Sequence, residues 1–120
     1  MRLIEELERL AAEEASLFRA QLLREDVARL RKLHALAGSL ADEAAYRRAG
    51  MRLGWTQGDA LTQTLREPLQ ALFEAVWMLA RAPAQPEHED RVAEAWRRLH
   101  RYRMERLVGC LATPVPKPGD

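Results

Sequence analysis

Residues 3–37 read LIEELERLAAEEASLFRAQLLREDVARLRKLHALA, a run with neither glycine nor proline. It is built from Leu, Ala, Glu and Arg, the residues that lose least by entering a helix. Ile4, Leu7, Ala11, Ala15, Phe18 and Leu22 recur at helical spacing and make one apolar stripe. Leu23, Val27, Leu30, Leu33 and Ala37 make a second, rotated around the axis from the first. The phase changes near 21–26, so either one long helix bends there or Asp26 caps a second helix. No period-two alternation appears anywhere in the chain, and β-branched residues are few. The expected fold is therefore all-α: a bundle of three or four helices with a long N-terminal helix and up-down connectivity.

Outward from that run, Gly50, Gly54 and Gly58 mark residues 50–59 (GMRLGWTQGD) as a loop, with Trp55 as its apolar anchor. Asp59 can cap the following helix, and Thr64 with Glu67 has the spacing of a capping box. Pro68 follows directly, so a break or kink is expected over 64–68. Leu69, Leu72, Phe73, Val76, Trp77 and Ala80 continue at helical spacing, and the prolines of ARAPAQPEHED (80–90) end that helix. Pro86 to Asp90 is an acidic start for a last helix spanning about 87–111. Residues 1–111 read as one helical domain, and the proline-rich 112–120 (ATPVPKPGD) as an extended, disordered tail. A chain of 120 residues can bury a core without disulfides or metal.

A net charge of +1 argues against a chain whose bulk coats nucleic acid or membrane. The start, MRLIEELERL, is acidic and amphipathic, unlike an export signal, and no apolar segment approaches the roughly 20 residues that cross a bilayer. Cys110 is the single cysteine, which excludes an internal disulfide and fits a reducing, cytoplasmic compartment. His34, His88 and His100 lack Glu-x-x-His spacing or a cysteine pair, so neither a metal nor another cofactor is expected.

Polar residues on apolar faces are the candidates for a site. On the last helix Val92, Trp96, Leu99, Leu107 and Cys110 share a face, and His100 and Arg103 fall within it. On the first, Glu14 lies between Leu7 and Phe18. A lone buried charge costs several kcal/mol, so either Glu14 faces Arg103 or His100 across a helix pair or a subunit boundary, or one or more of these side chains reaches past the apolar edge into water. Opposite that face, Arg91, Arg97, Arg98, Arg101 and Arg106 form a basic stripe that Arg29, Arg31, Lys32, Arg47, Arg48 and Arg52 can extend. The stripe is either a polyanion surface or a solvated face neutralised by pairs such as Glu94 with Arg98 and Arg101 with Glu105.

Residues His34 to Ser39, HALAGS, resemble the phosphoacceptor motif of histidine-containing phosphotransfer domains: histidine, any residue, leucine, usually lysine, glycine, then small residues. Domains of that family are helical bundles of about this size. The resemblance implies a phosphorelay intermediate in which His34 accepts the phosphoryl group and Gly38, one turn on, gives a receiver domain room to approach. Ala37 stands where the family usually has lysine, and Leu40 where it has a small residue. The same stretch also reads simply as a helix end, with His34 in its last turn complementing the helix dipole.

The function expected from these observations is that of a non-catalytic adaptor or assembly subunit. It acts through helix-face contacts with a protein partner or a second copy, with nucleic acid as a further ligand and no membrane. The phosphorelay role of His34 is the alternative. If the arginine stripe binds RNA or DNA, affinity falls steeply with salt, and exchanging Arg97→Ala together with Arg101→Ala flattens that dependence by about two counterions, as read from the slope of log K against log salt.

Overall fold

The N-terminal run is two helices. In a computed structural model, which describes residues 1–56 and 63–112 and their side chains through residue 106, α1 spans Arg2–Glu13 and α2 spans Leu17–Ser39. They are followed by α3 (Glu43–Met51), α4 (Arg66–Arg81) and α5 (Pro86–Ala112). The chain is all-α, and no strand occurs among the described residues. The expected change of phase at 21–26 is corrected in position: α2 runs unbroken through those residues, and Asp26 lies in its interior instead of capping it. The break falls at Glu14 to Ser16. Ser16 is the N-cap of α2, its hydroxyl accepting the Arg19 backbone N–H at 3.3 Å, and the Glu14 carboxylate accepts the N–H of Ser16 at 3.1 Å. Both contacts satisfy backbone donors that a helix start leaves without partners.

This turn changes which stripe is buried. Leu3, Ile4, Leu7 and Ala11 of α1 and Ala20, Leu23, Val27, Leu30, Leu33 and Ala37 of α2 join the core. Leu17 and Phe18 are left 84% and 53% exposed. The split, together with the short α3, brings the count among the described residues to five instead of three or four.

Downstream, cross-connections are specific. The Arg81 guanidinium, in the last turn of α4, donates to the carbonyls of Ala37 (2.9 Å) and Leu40 (3.0 Å) and lies over the Trp77 ring. It thereby satisfies carbonyls that the end of α2 leaves open. Asp42 caps α3, accepting the Ala44 N–H at 3.1 Å, and the buried Tyr46 hydroxyl donates to the Phe73 carbonyl of α4 at 2.6 Å. Gly50, expected in a loop, belongs to α3, so the loop begins at Arg52. The N-cap of α4 is Leu65, one position after the capping-box threonine, and Pro68 sits in the first turn, where its missing N–H costs nothing. Pro86 opens α5. Asp59, Gly58 and the 113–120 tail, with the side chains of Leu107 and Cys110, lie outside the described residues. Among those residues, no helix is long and apolar enough to cross a membrane.

Two helical glycines make opposite predictions. A methyl at Gly38 would meet nothing within 4 Å, whereas at Gly50 it would stand 3.1 Å from Leu33 Cδ1 and 3.3 Å from the Phe73 ring, both fully buried. Gly38→Ala should raise stability by about 0.5–1 kcal/mol through helix propensity. Gly50→Ala gains the same propensity but overpacks a site whose neighbours cannot recede, for a net loss of about 1 kcal/mol. Thermal melts followed by circular dichroism read both signs.

Candidate functional site

The apolar face of α2 carries an aspartate. Asp26 follows Leu23 by three residues and precedes Leu30 by four, so helical geometry turns it inward, and it is 1% exposed. On α5 the same geometry turns Arg103 inward, in line with Trp96 and Leu99. The two meet. Arg103 Nη1 donates to Asp26 Oδ1 at 2.9 Å, and Nη2 donates to Oδ2, a bidentate pair. Trp96 Nε1 adds a third hydrogen bond to Oδ2 at 2.8 Å, and Arg29 Nη1, one turn along α2, a fourth to Oδ1 at 2.9 Å. Burial alone would push the Asp26 carboxyl upward, but Arg103, through its hydrogen bonds and its charge, then Trp96 and Arg29, hold it below the ordinary 3.8.

The arginines also fasten the loop after α3. Arg103 Nη1 donates to the Trp55 carbonyl at 3.2 Å, Arg29 Nε to the Leu53 carbonyl at 3.3 Å, and the buried Trp55 ring returns its Nε1 proton to the Gly50 carbonyl at 2.9 Å. Gly54 makes the bend between those two carbonyls with φ +81°, a conformation that disfavours any side chain. Among the described residues the backbones of α2 and α5 do not come within 8 Å, Cα to Cα. Long side chains span the gap, and where they stop a cleft of about 160 Å³ remains. Phe18, Leu22 and Trp55 give it apolar walls with Met104, and Arg29 and Arg103 lie at its base beside Glu25, Thr56 and His100. The cleft is of the size that accepts a benzene ring.

Its arginines and carboxylates are already engaged with one another. Arg103 is committed to Asp26 and Trp55, and Arg29 to Asp26, Glu25 and Leu53. His100 stacks on Trp96 with ring centroids 4.6 Å apart, and burial, reinforced by the Arg103 charge, lowers its pKa. This leaves an apolar surface on a rigid polar base.

The sequence placed Arg103 and His100 correctly on the inner side of α5 but chose the wrong partner for Arg103. Within the chain the predicted pair with Glu14 does not form, because Glu14 sits in the α1–α2 turn and accepts the Ser16 N–H, while Asp26 meets Arg103 across the core. Asp26 was missed because it was considered only as a possible helix cap and left out of the apolar stripe. Its spacing from Leu23 and Leu30 is the signal that finds it.

The basic stripe is dispersed. Arg97 pairs with Glu6 of α1 at 3.5 Å and Arg98 with Glu67 of α4 at 3.5 Å, so the anticipated pair of Arg98 with Glu94 is not made. Arg31 pairs with Glu8, and Arg47 with Glu43. Arg101 makes no ion pair among the described residues and lies 6.0 Å from the Tyr102 ring centre. His34 is half-buried in a shallow concavity with Arg31, Glu5 and Glu8, and burial lowers its pKa. Gly38 is open beside it, as a phosphoacceptor face requires, but the two glutamates would repel a phosphoryl group, and Arg31 is already held by Glu8. No protein-family model, curated protein or solved structure matches the chain.

The buried pair makes a two-part prediction. Because the folded pKa of Asp26 is depressed, its stabilisation is complete above about pH 4 and is lost as the pH falls through the lower folded value; Asp26→Asn should flatten the acid limb of urea midpoints measured from pH 7 to 2. Arg103→Leu, which leaves the buried carboxylate with only Arg29 and Trp96, should cost about 3 kcal/mol, whereas Asp26→Leu with Arg103→Leu should recover much of that loss. Additive losses in the double variant would show that the pair does not act as a unit.

Proposed function

We propose that this protein is an up-down helical bundle serving as a non-catalytic adaptor or assembly subunit, which binds a protein partner through the face formed by the start of α2 and the cleft beside it. The observation that carries this reading is the half-exposed Phe18 at the wall of an apolar cleft, next in sequence to the still more exposed Leu17. Large apolar side chains grouped around a concavity mark an interaction surface far more often than those scattered singly. The rigid base supports the same reading, since a surface held in place by a buried ion pair loses little entropy on docking. The arginines and carboxylates of the cleft are spent on each other, which leaves its apolar walls as the surface offered to a partner.

The test uses affinity purification from the native host with isotope-labelled quantification. A partner should co-purify with the wild-type chain in stoichiometric amount and fall by about tenfold or more with Phe18→Asp, since the loss of one buried aromatic contact is worth a few kcal/mol. Phe18 is half exposed, so the variant should retain its melting temperature. A partner retained equally by wild type and variant would move the interface elsewhere.

A further inference from the structure

The arginines of the cleft are spent on their neighbours except along one edge. A guanidinium carries five N–H donors in a fixed planar arrangement. Arg103 turns the end of that plane to Asp26, through Nη1 and Nη2, and gives its other Nη1 proton to the Trp55 carbonyl. The Nε–H and the second Nη2 proton, which point the same way along the side of the group, have no acceptor among the described residues. Nor is that edge sealed in. Among the described residues the one fully buried side-chain nitrogen or oxygen without a partner is Nδ1 of His88, in the first turn of α5. Arg103 Nε, equally without one, is therefore open to the space that Arg103 lines, which is the cleft. Two parallel N–H groups on one edge are the geometry that receives both oxygens of a carboxylate.

The surroundings select what carries that carboxylate. Phe18, Trp55 and His100 give the cleft ring walls, Leu22 and Met104 give it aliphatic ones, and its volume of about 160 Å³ is that of a cavity holding one benzene ring. Charge favours an acid over a base. Asp26 lies beneath the guanidiniums and is not part of the lining, so the described groups facing the cleft are two arginines against the carboxylate of Glu25, which is 42% exposed and screened by water. With the cation edge at the base, the acid enters first and the ring follows between the walls. No protein side chain carries both a ring and a carboxylate, so the ligand that matches the whole cleft is a small molecule.

We propose that the cleft is a binding site for a small aromatic carboxylate, its ring between Phe18, Trp55 and Met104 and its acid group on the Nε–Nη2 edge of Arg103. The site stands whether or not a protein covers the face around it.

Benzoate titrated into the isotope-labelled full chain at neutral pH, followed by side-chain N–H signals in NMR spectra, tests the proposal. The Arg103 Nε–H and Trp55 Nε1–H signals should shift together and saturate with a Kd of about 1 mM or tighter, the strength open to a ligand of this size. Benzyl alcohol keeps the ring without the charge and acetate the charge without the ring; each should bind at least about tenfold more weakly. Leu22→Trp, at a half-buried position on the wall, fills the cleft with a larger ring and should abolish the benzoate shifts while the melting temperature is kept. No saturating shift with benzoate up to about 10 mM, shifts centred away from the cleft, benzyl alcohol or acetate binding as tightly as benzoate, or undiminished binding in Leu22→Trp would each overturn it. If benzoate fails to bind while a protein partner is still lost with Phe18→Asp, the small-molecule site falls and the helix-face reading stands.

Discussion

Between α2 and α5 lies a space that their backbones do not close, and the carboxylate of Asp26 is the point at which side chains bridge it. Two arginines and a tryptophan converge on its two oxygens, so a charge that would be untenable alone in the core is solvated by the protein instead of by water. The same arginines continue to the carbonyls of Leu53 and Trp55 and hold the loop that closes the end of the bundle. Helix register and loop position thus depend on one buried anion. Such an arrangement contributes specificity more than net stability, because desolvation of the charges offsets much of their attraction, but any register that separates Asp26 from Arg103 is heavily penalised.

The cleft is a consequence of that bridge. Arg103 and Trp96 are long enough to span the helices at the level of Asp26, and toward the start of α2 no described side chain of comparable length fills the opening. Phe18 and Leu22 are left lining it, with Leu17 outside. The chemistry of the surroundings favours docking, since the arginines and carboxylates that line the cleft are paired with one another and the two most exposed large apolar side chains, Leu17 and Phe18, are neighbours at the start of α2. Elsewhere on the surface Arg31, Arg97 and Arg98 are tied to glutamates on neighbouring helices.

Much of the fold was legible in sequence because helix propensity and apolar spacing act locally. The inner faces of α2, α4 and α5, the loop around Trp55 and the start of α5 at Pro86 all follow from residues a few positions apart. The split at Glu14 to Ser16 was harder to see, since alanine, glutamate and serine are compatible with a continuing helix, and the capping bonds of Ser16 and Glu14 compete only narrowly with one more turn. Placing the bend or break at 21–26 had two costs: it put Phe18 on the inner apolar stripe and it left Asp26 considered only as a possible cap.

By itself, the sequence determined that the chain is helical, which faces of the longer helices are apolar, and that Arg103 on such a face needs a counter-charge if it is buried. Periodicity and the cost of desolvating an ion are properties of the residues and their spacing along the chain. Only the tertiary structure decided that the counter-charge is Asp26 and not Glu14, and that Leu17 and Phe18 stand outside the core beside an open cleft. Those outcomes depend on the angle at which α1 turns into α2 and on the distance left between α2 and α5, which arise when whole helices pack and are encoded in no single stretch of the chain.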